Sequence, residues 1–153
     1  MPIRPENRER YPSNWSTEIR PAVLARANNR CEKCKAPNGW TVCREMSGAT
    51  YMIDEGYVFD SETGDCLGRA RLYDYPAGRY VSIVLTIAHL DHTPENCDGM
   101  ESGATEPKPI AESNLRAWCQ RCHLRYDAGH HNETRAETRA RNSKQPDMFR
   151  SAK

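Results

Sequence analysis

Apolar residues first recur at helical spacing in STEIRPAVLARANNR, where Ile19, Val23, Leu24 and Ala27 follow a 3.6-residue period. Ser16 or Thr17 can cap this helix, and Pro21 falls in its first turn, where a missing N–H costs little. Asn28 and Asn29 can end it. The next stretch, RCEKCKAPNGW, places two cysteines two residues apart and then Pro-Asn-Gly, which predicts a tight turn. From Thr50 to His92 the signals change to strand and turn. YMIDEGYVFD, CLGRARLYDY and RYVSIVLTIAHL are rich in β-branched and aromatic residues, with SETGD and PAGR as turn chemistry between them. Val81, Ile83, Leu85 and Ile87 alternate with smaller or polar residues, predicting one strand with one core face. CDGMESGATEPKPIAES reads as a polar loop. NLRAWC leads into CQRCHLRYDAGHH, a helix expected to begin near Cys122. NETRAETRARNSK has helix propensity without an apolar stripe and predicts an exposed, marginal helix. No internal repeat is visible.

Composition sharpens this picture. The 153 residues suffice for one domain with its own core, but only 37% are hydrophobic and 8% aromatic. A core that lean calls for a staple, and seven cysteines are available. The start, MPIRPENRERYPSNW, has no apolar core of a secretory leader, and no stretch approaches the roughly 20 apolar residues of a membrane span. The expectation is a soluble, cytoplasmic protein without a membrane partner. In that setting thiols stay reduced and paired cysteines more often bind metal. Residues 1–15, interrupted by Pro2, Pro5 and Pro12, are expected to form a flexible arm.

Charge is spread unevenly. Residues 1–42 carry 8 basic and 4 acidic side chains, residues 43–107 carry 4 and 12, and residues 115–153 carry 9 and 4. Basic ends around an acidic middle admit a nucleic-acid partner despite a net charge of only +1.

Cys31-x2-Cys34 and Cys119-x2-Cys122 suit four thiolates from two turns closing on one structural Zn²⁺, with Zn–S near about 2.3 Å. The second pair opens a helix, whose N-terminal dipole favours thiolate. No βαβ pattern surrounds either pair, which disfavours a redox role. Cys43, Cys66 and Cys97 match no ligand spacing and read as free thiols.

Taken in order, RCEKC at 30–34, AHLDHTPEN at 88–96 and NLRAWCQRCHLRYD at 114–127 resemble the HNH endonucleases, the zinc-stapled kind common in bacteriophages. The resemblance covers roughly residues 20–131. It implies a small α+β treble-clef domain over residues 16–131, with 43–80 as a β-rich insertion and 132–153 as a basic tail. It also implies a ββα site in which two strands and a helix hold one divalent cation, Mg²⁺ or another, against a DNA phosphate. Such hydrolysis needs a base near pH 7, which histidine supplies, and a cation to neutralise developing charge.

Residue by residue, the resemblance maps His123 to the helix histidine that ligates the cation and Asn114 to the loop-supporting asparagine. The base is His89 in one register and His92 in the other, where Asp91 joins the cation. Alternation favours His89, because His89 and Asp91 share the face of Ile83, Leu85 and Ile87, and that core face is expected to pack on the helix carrying His123. In this register Ala88 stands where many relatives place a metal ligand, so Asp91 or Asp127, one turn after His123, must supply it. Arg116, Arg121 and Arg125 are candidate phosphate contacts. Gln145, Asp147, Met148 and Phe149, in QPDMF, resemble the peptide by which bacterial replication and repair proteins dock on the β sliding clamp. The implied setting is a bacterial cell or a phage-infected host. A rival from another class is a zinc-stabilised DNA-binding or clamp-associated protein without catalysis, and Ala88 is the feature that keeps it open.

Overall fold

The structure, a computed structural model, describes residues 11–71, 74–90 and 114–143. Asp91, His92 and Cys97 lie outside the described residues, as does the QPDMF peptide.

A π-helical turn, Trp15–Ile19, runs directly into helix α1, Arg20–Arg26. The first turn starts from Asn14 rather than from Ser16 or Thr17, and the Thr17 hydroxyl instead donates back to the Asn14 carbonyl at 3.4 Å. Asn28 and Asn29 close the helix with φ of +48° and +53°, the left-handed conformation that asparagine tolerates at a C-terminus.

Five antiparallel strands follow: β1 (Thr41–Glu45), β2 (Thr50–Met52), β3 (Tyr57–Asp60), β4 (Cys66–Arg69) and β5 (Gly78–Ser82). They form one sheet in the order β4-β3-β2-β1-β5. The sheet therefore begins at Thr41, and its interior strand β1 comes from TVCRE, too short to carry a clear period. Both faces are covered at β1 and β2. Val42 and Tyr51 join the main core, and Tyr51 stacks on Phe59 at 5.2 Å. Cys43, Met52 and Tyr75 form a smaller cluster on the other side.

A second sheet pairs β6 (Leu85–His89) with β7 (Leu115–Cys119), antiparallel and in register from Leu85↔Cys119 to His89↔Leu115. Helix α2, Gln120–Ser143, follows β7 without a break. It continues through residue 132 and stays exposed along its second half. Among the described residues no helix is long and apolar enough to cross a membrane.

The run expected to be one strand, from Val81 to Ile87, is two. At Ile83–Val84 the chain leaves the large sheet and enters the hairpin. The Gln120 amide bridges the switch, donating to the Ser82 carbonyl and accepting from Val84 N–H, both at 3.1 Å. Asn38 Oδ1 accepts from Leu85 N–H at 2.9 Å. Side chains thus replace the ladder partners that a straight strand would have kept.

The main core gathers Trp15, Val23, Ile83, Leu85 and Leu115 around Cys31, Cys34, Cys119 and Cys122. The four thiols are part of the core itself.

Candidate metal centre and hairpin–helix site

Two turns build the cysteine cluster. In the first, Lys35 N–H donates to Cys31 O at 2.8 Å and Cys31 N–H to Ala36 O at 2.9 Å. Lys35 adopts φ of +57° to close it. In the second, β7 ends on Cys119 and the first turn of α2 supplies Cys122. All four sulfurs lie within 4.8 Å of one another and all four residues are buried. Cys34 and Cys119 sulfurs are 3.7 Å apart. Four sulfurs at about 2.3 Å from one ion at tetrahedral angles lie about 3.8 Å apart, so this donor set fits a zinc ion.

Electrostatics point the same way. Hydrogen bonds from Cys119 and then Cys122 hold the Cys31 thiol down at about 7, and the same two partners hold Cys34 well below the usual thiol range. Without a cation two of the thiols must keep protons to supply those bonds. A divalent ion replaces the protons and lets all four act as thiolates.

Arg44, on β1, adds a positive charge that the sequence alone did not flag. It is buried, its guanidinium lies 3.6 Å from Cys119 Sγ and 3.9 Å from Cys34 Sγ, and it donates to Ser61 Oγ at 3.2 Å. Tyr51 anchors the same knuckle, donating its hydroxyl to Cys34 O at 2.8 Å. On the other side Glu32 accepts from Ala117 N–H at 2.6 Å and pairs with Arg26, tying the first turn to β7.

The histidines separate. His123 Nδ1 lies 2.7 Å from the Thr86 hydroxyl, which also donates to Trp118 O at 3.2 Å. One hydroxyl thus ties the His123 ring to the β7 backbone and leaves Nε2 directed away from Thr86. Nε2 lies 3.2 Å from Asp127 Oδ2. At that distance the two side chains form an i, i+4 hydrogen bond or ion pair on one face of α2. The same Asp127 oxygen is 3.9 Å from His131 Nε2. The i, i+4, i+8 spacing of His123, Asp127 and His131 was the available signal for this stripe. Ala88, fully buried, offers no donor.

His89 lies elsewhere. Its ring stacks on Trp15 with centroids 5.6 Å apart at 13°, and meets the edge of Tyr11 at 6.0 Å. Thr86 and His89 are three residues apart on one strand, so their side chains leave opposite faces. The core face of β6 therefore packs on the Trp15 side, and the Thr86 face packs on α2. Trp118, the cross-strand partner of Thr86, confirms the face by meeting Tyr126 of α2 at 5.0 Å. This corrects the expectation that His89 shares a face with His123.

Asn114 lies at the open end of the hairpin beside Leu90, the residue after His89. Leu90 N–H donates to Asn114 O at 2.9 Å, and Tyr126 donates its hydroxyl to Leu90 O at 2.6 Å. Arg121 and Arg125 turn towards the large sheet. Arg121 donates to Gly48 O at 2.7 Å, and both pair with Glu62. Arg116 sits on β7 and donates to Leu115 O at 2.8 Å. Cys43 is buried and Cys66 exposed, and both are free thiols.

No protein-family model, curated protein or solved structure matches the chain.

Proposed function

We propose that the protein is a metal-dependent endonuclease that hydrolyses DNA phosphodiester bonds, on a treble-clef ββα scaffold stapled by zinc. The observation that carries this reading is the order hairpin, then helix, with His123 and Asp127 in the first turns of that helix beside the four-cysteine cluster. His123 and Asp127 would hold the catalytic cation, which supplies charge neutralisation at the phosphate when bound. The Thr86 bond fixes the His123 ring so that Nε2 faces outward. A histidine, His89 at the end of β6 or His92 beyond the described residues, takes the proton of the attacking water. The new P–O bond forms as the bond to the leaving oxygen breaks. Asn114 holds the strand end through its backbone bond to Leu90.

The second reading is a zinc-stabilised DNA-binding or clamp-associated protein without catalysis. It is favoured by Ala88, buried where a ligand is wanted, and by His89 stacked on Trp15 away from the His123 face.

Plasmid DNA incubated with the zinc-loaded protein and Mg²⁺ or Mn²⁺ separates the two. The nuclease reading expects metal-dependent nicking or linearisation that is lost in His123→Ala. Loss in His89→Ala alone assigns His89 as the base, and loss in His92→Ala alone assigns His92. A wild type that leaves the plasmid intact under every divalent ion refutes catalysis.

A further inference from the structure

A cleft of about 720 Å³ opens beside the first cysteine turn, lined by Arg26, Arg30, Lys33, Lys35, Arg116 and Trp118. Its cations come from three separate elements: the end of α1, the cysteine turn and β7. Among the described residues the carboxylate lining the cleft is Glu32, and it is engaged by Arg26 and by Ala117 N–H. Arg30 and Lys35 donate to backbone carbonyls, of Lys35 and Glu32, which position the charges without cancelling them. Lys33 reaches Glu62, but that carboxylate also serves Arg121 and Arg125. Among the described residues the cleft lining therefore carries an excess of positive charge, and Trp118 gives it one apolar wall.

Its position in the fold says what such a cleft can serve. Arg116 and Trp118 are the cross-strand partners of Ala88 and Thr86. They leave β7 on the same face as Thr86, the residue bonded to His123. A chain of phosphates held on Arg30, Lys35 and Arg116 would continue onto the face that carries His123 and Asp127. A single anion needs one or two cations. Cations spread over three elements match an anion that repeats along a backbone.

We propose that this cleft is the track for the DNA backbone, with phosphates on Arg30, Lys35 and Arg116 and the deoxyribose or base against Trp118. The identity of the polyanion rests on the hydrolysis reading above.

The test measures binding without cleavage. Zinc-loaded full-length protein, with no Mg²⁺ or Mn²⁺ added, is titrated into a short fluorescein-labelled DNA duplex, and anisotropy is followed between about 50 and 200 mM NaCl. The double variant Arg30→Gln/Lys35→Gln is expected to bind about tenfold more weakly or worse. Its slope of log affinity against log salt should be shallower by about 2, one for each lost phosphate contact. Arg79→Gln, which removes one positive charge from exposed β5 as Lys35→Gln does from the cleft, should match the wild type in both. Should the double variant melt early, Lys35→Gln alone should lower the slope by about 1. An unchanged slope in the cleft variants, an equal loss in Arg79→Gln, or no binding by the wild type overturns the proposal. Cleft-dependent binding by a protein that cuts no plasmid keeps the track and rejects hydrolysis. Plasmid cleavage with cleft-independent binding keeps hydrolysis and rejects the track.

Discussion

Arg44 places a full positive charge 3.6 Å from a cysteine sulfur inside the core. A zinc ion with four thiolates carries a net charge of −2, so this guanidinium favours the loaded cluster over the protonated one. At an effective dielectric constant of about 20, a unit pair at that distance is worth about 4.6 kcal/mol. Dehydrating the guanidinium offsets half of this or more. What remains is roughly 1.4–2.3 kcal/mol, a ten- to fiftyfold effect on zinc affinity. Arg44→Met keeps most of the apolar volume over Tyr51, whose ring centroid lies 5.3 Å from the guanidinium, and removes the charge. The assay is competition for zinc against a chromophoric chelator, with circular dichroism to confirm folding. Arg44→Lys keeps the charge but cannot reach Ser61 and both sulfurs in one planar fork, so it should fall between the two. If Arg44→Met is folded and holds zinc within about threefold of the wild type, the electrostatic argument is wrong.

Three further outcomes follow from the same packing. Metal analysis should give near one zinc per chain, lost on Cys119→Ser. Because the ligands are core residues, a metal contribution on the order of 10 kcal/mol is comparable to the stability of a whole domain, so chelation should abolish the cooperative thermal transition. A metal-free chain that still melts cooperatively near the wild-type temperature would refute this. Gly78→Ala, in β5, would set a methyl 2.4 Å from the Arg44 carbonyl oxygen and 3.0 Å from Cys43 Sγ. Backbone cannot rotate aside, so a loss of about 1–3 kcal/mol is expected in urea unfolding, and an unchanged midpoint would show that β1 and β5 can part without penalty.

Several features were legible because they depend on neighbours close in the chain. The two CxxC spacings predict two turns that each offer a pair of thiols, and the structure brings the pairs together. The asparagines at 28 and 29 end α1 because their side chains tolerate positive φ. His123 and Asp127 meet because they are one helical turn apart. Other features were not legible. The alternation from Val81 to Ile87 is sound as a local pattern, yet the chain changes sheets within it, because Gln120 and Asn38, distant in sequence, take over its hydrogen bonds. The short strand β1 shows its role only once β2 and β5 lie on either side of it.

The sequence by itself determined the chemistry available: four thiols in two pairs, a histidine at a strand end, and a histidine in the first turn of a helix. Tertiary structure decided which of these groups face one another. It put Arg44 against the sulfurs, gathered the basic side chains of α1, the cysteine turn and β7 into one cleft, and sent His89 to Trp15 while His123 went to Thr86. The physical reason is that strand periodicity fixes that two side chains lie on opposite faces, but only the burial of each face against distant elements fixes what each face meets.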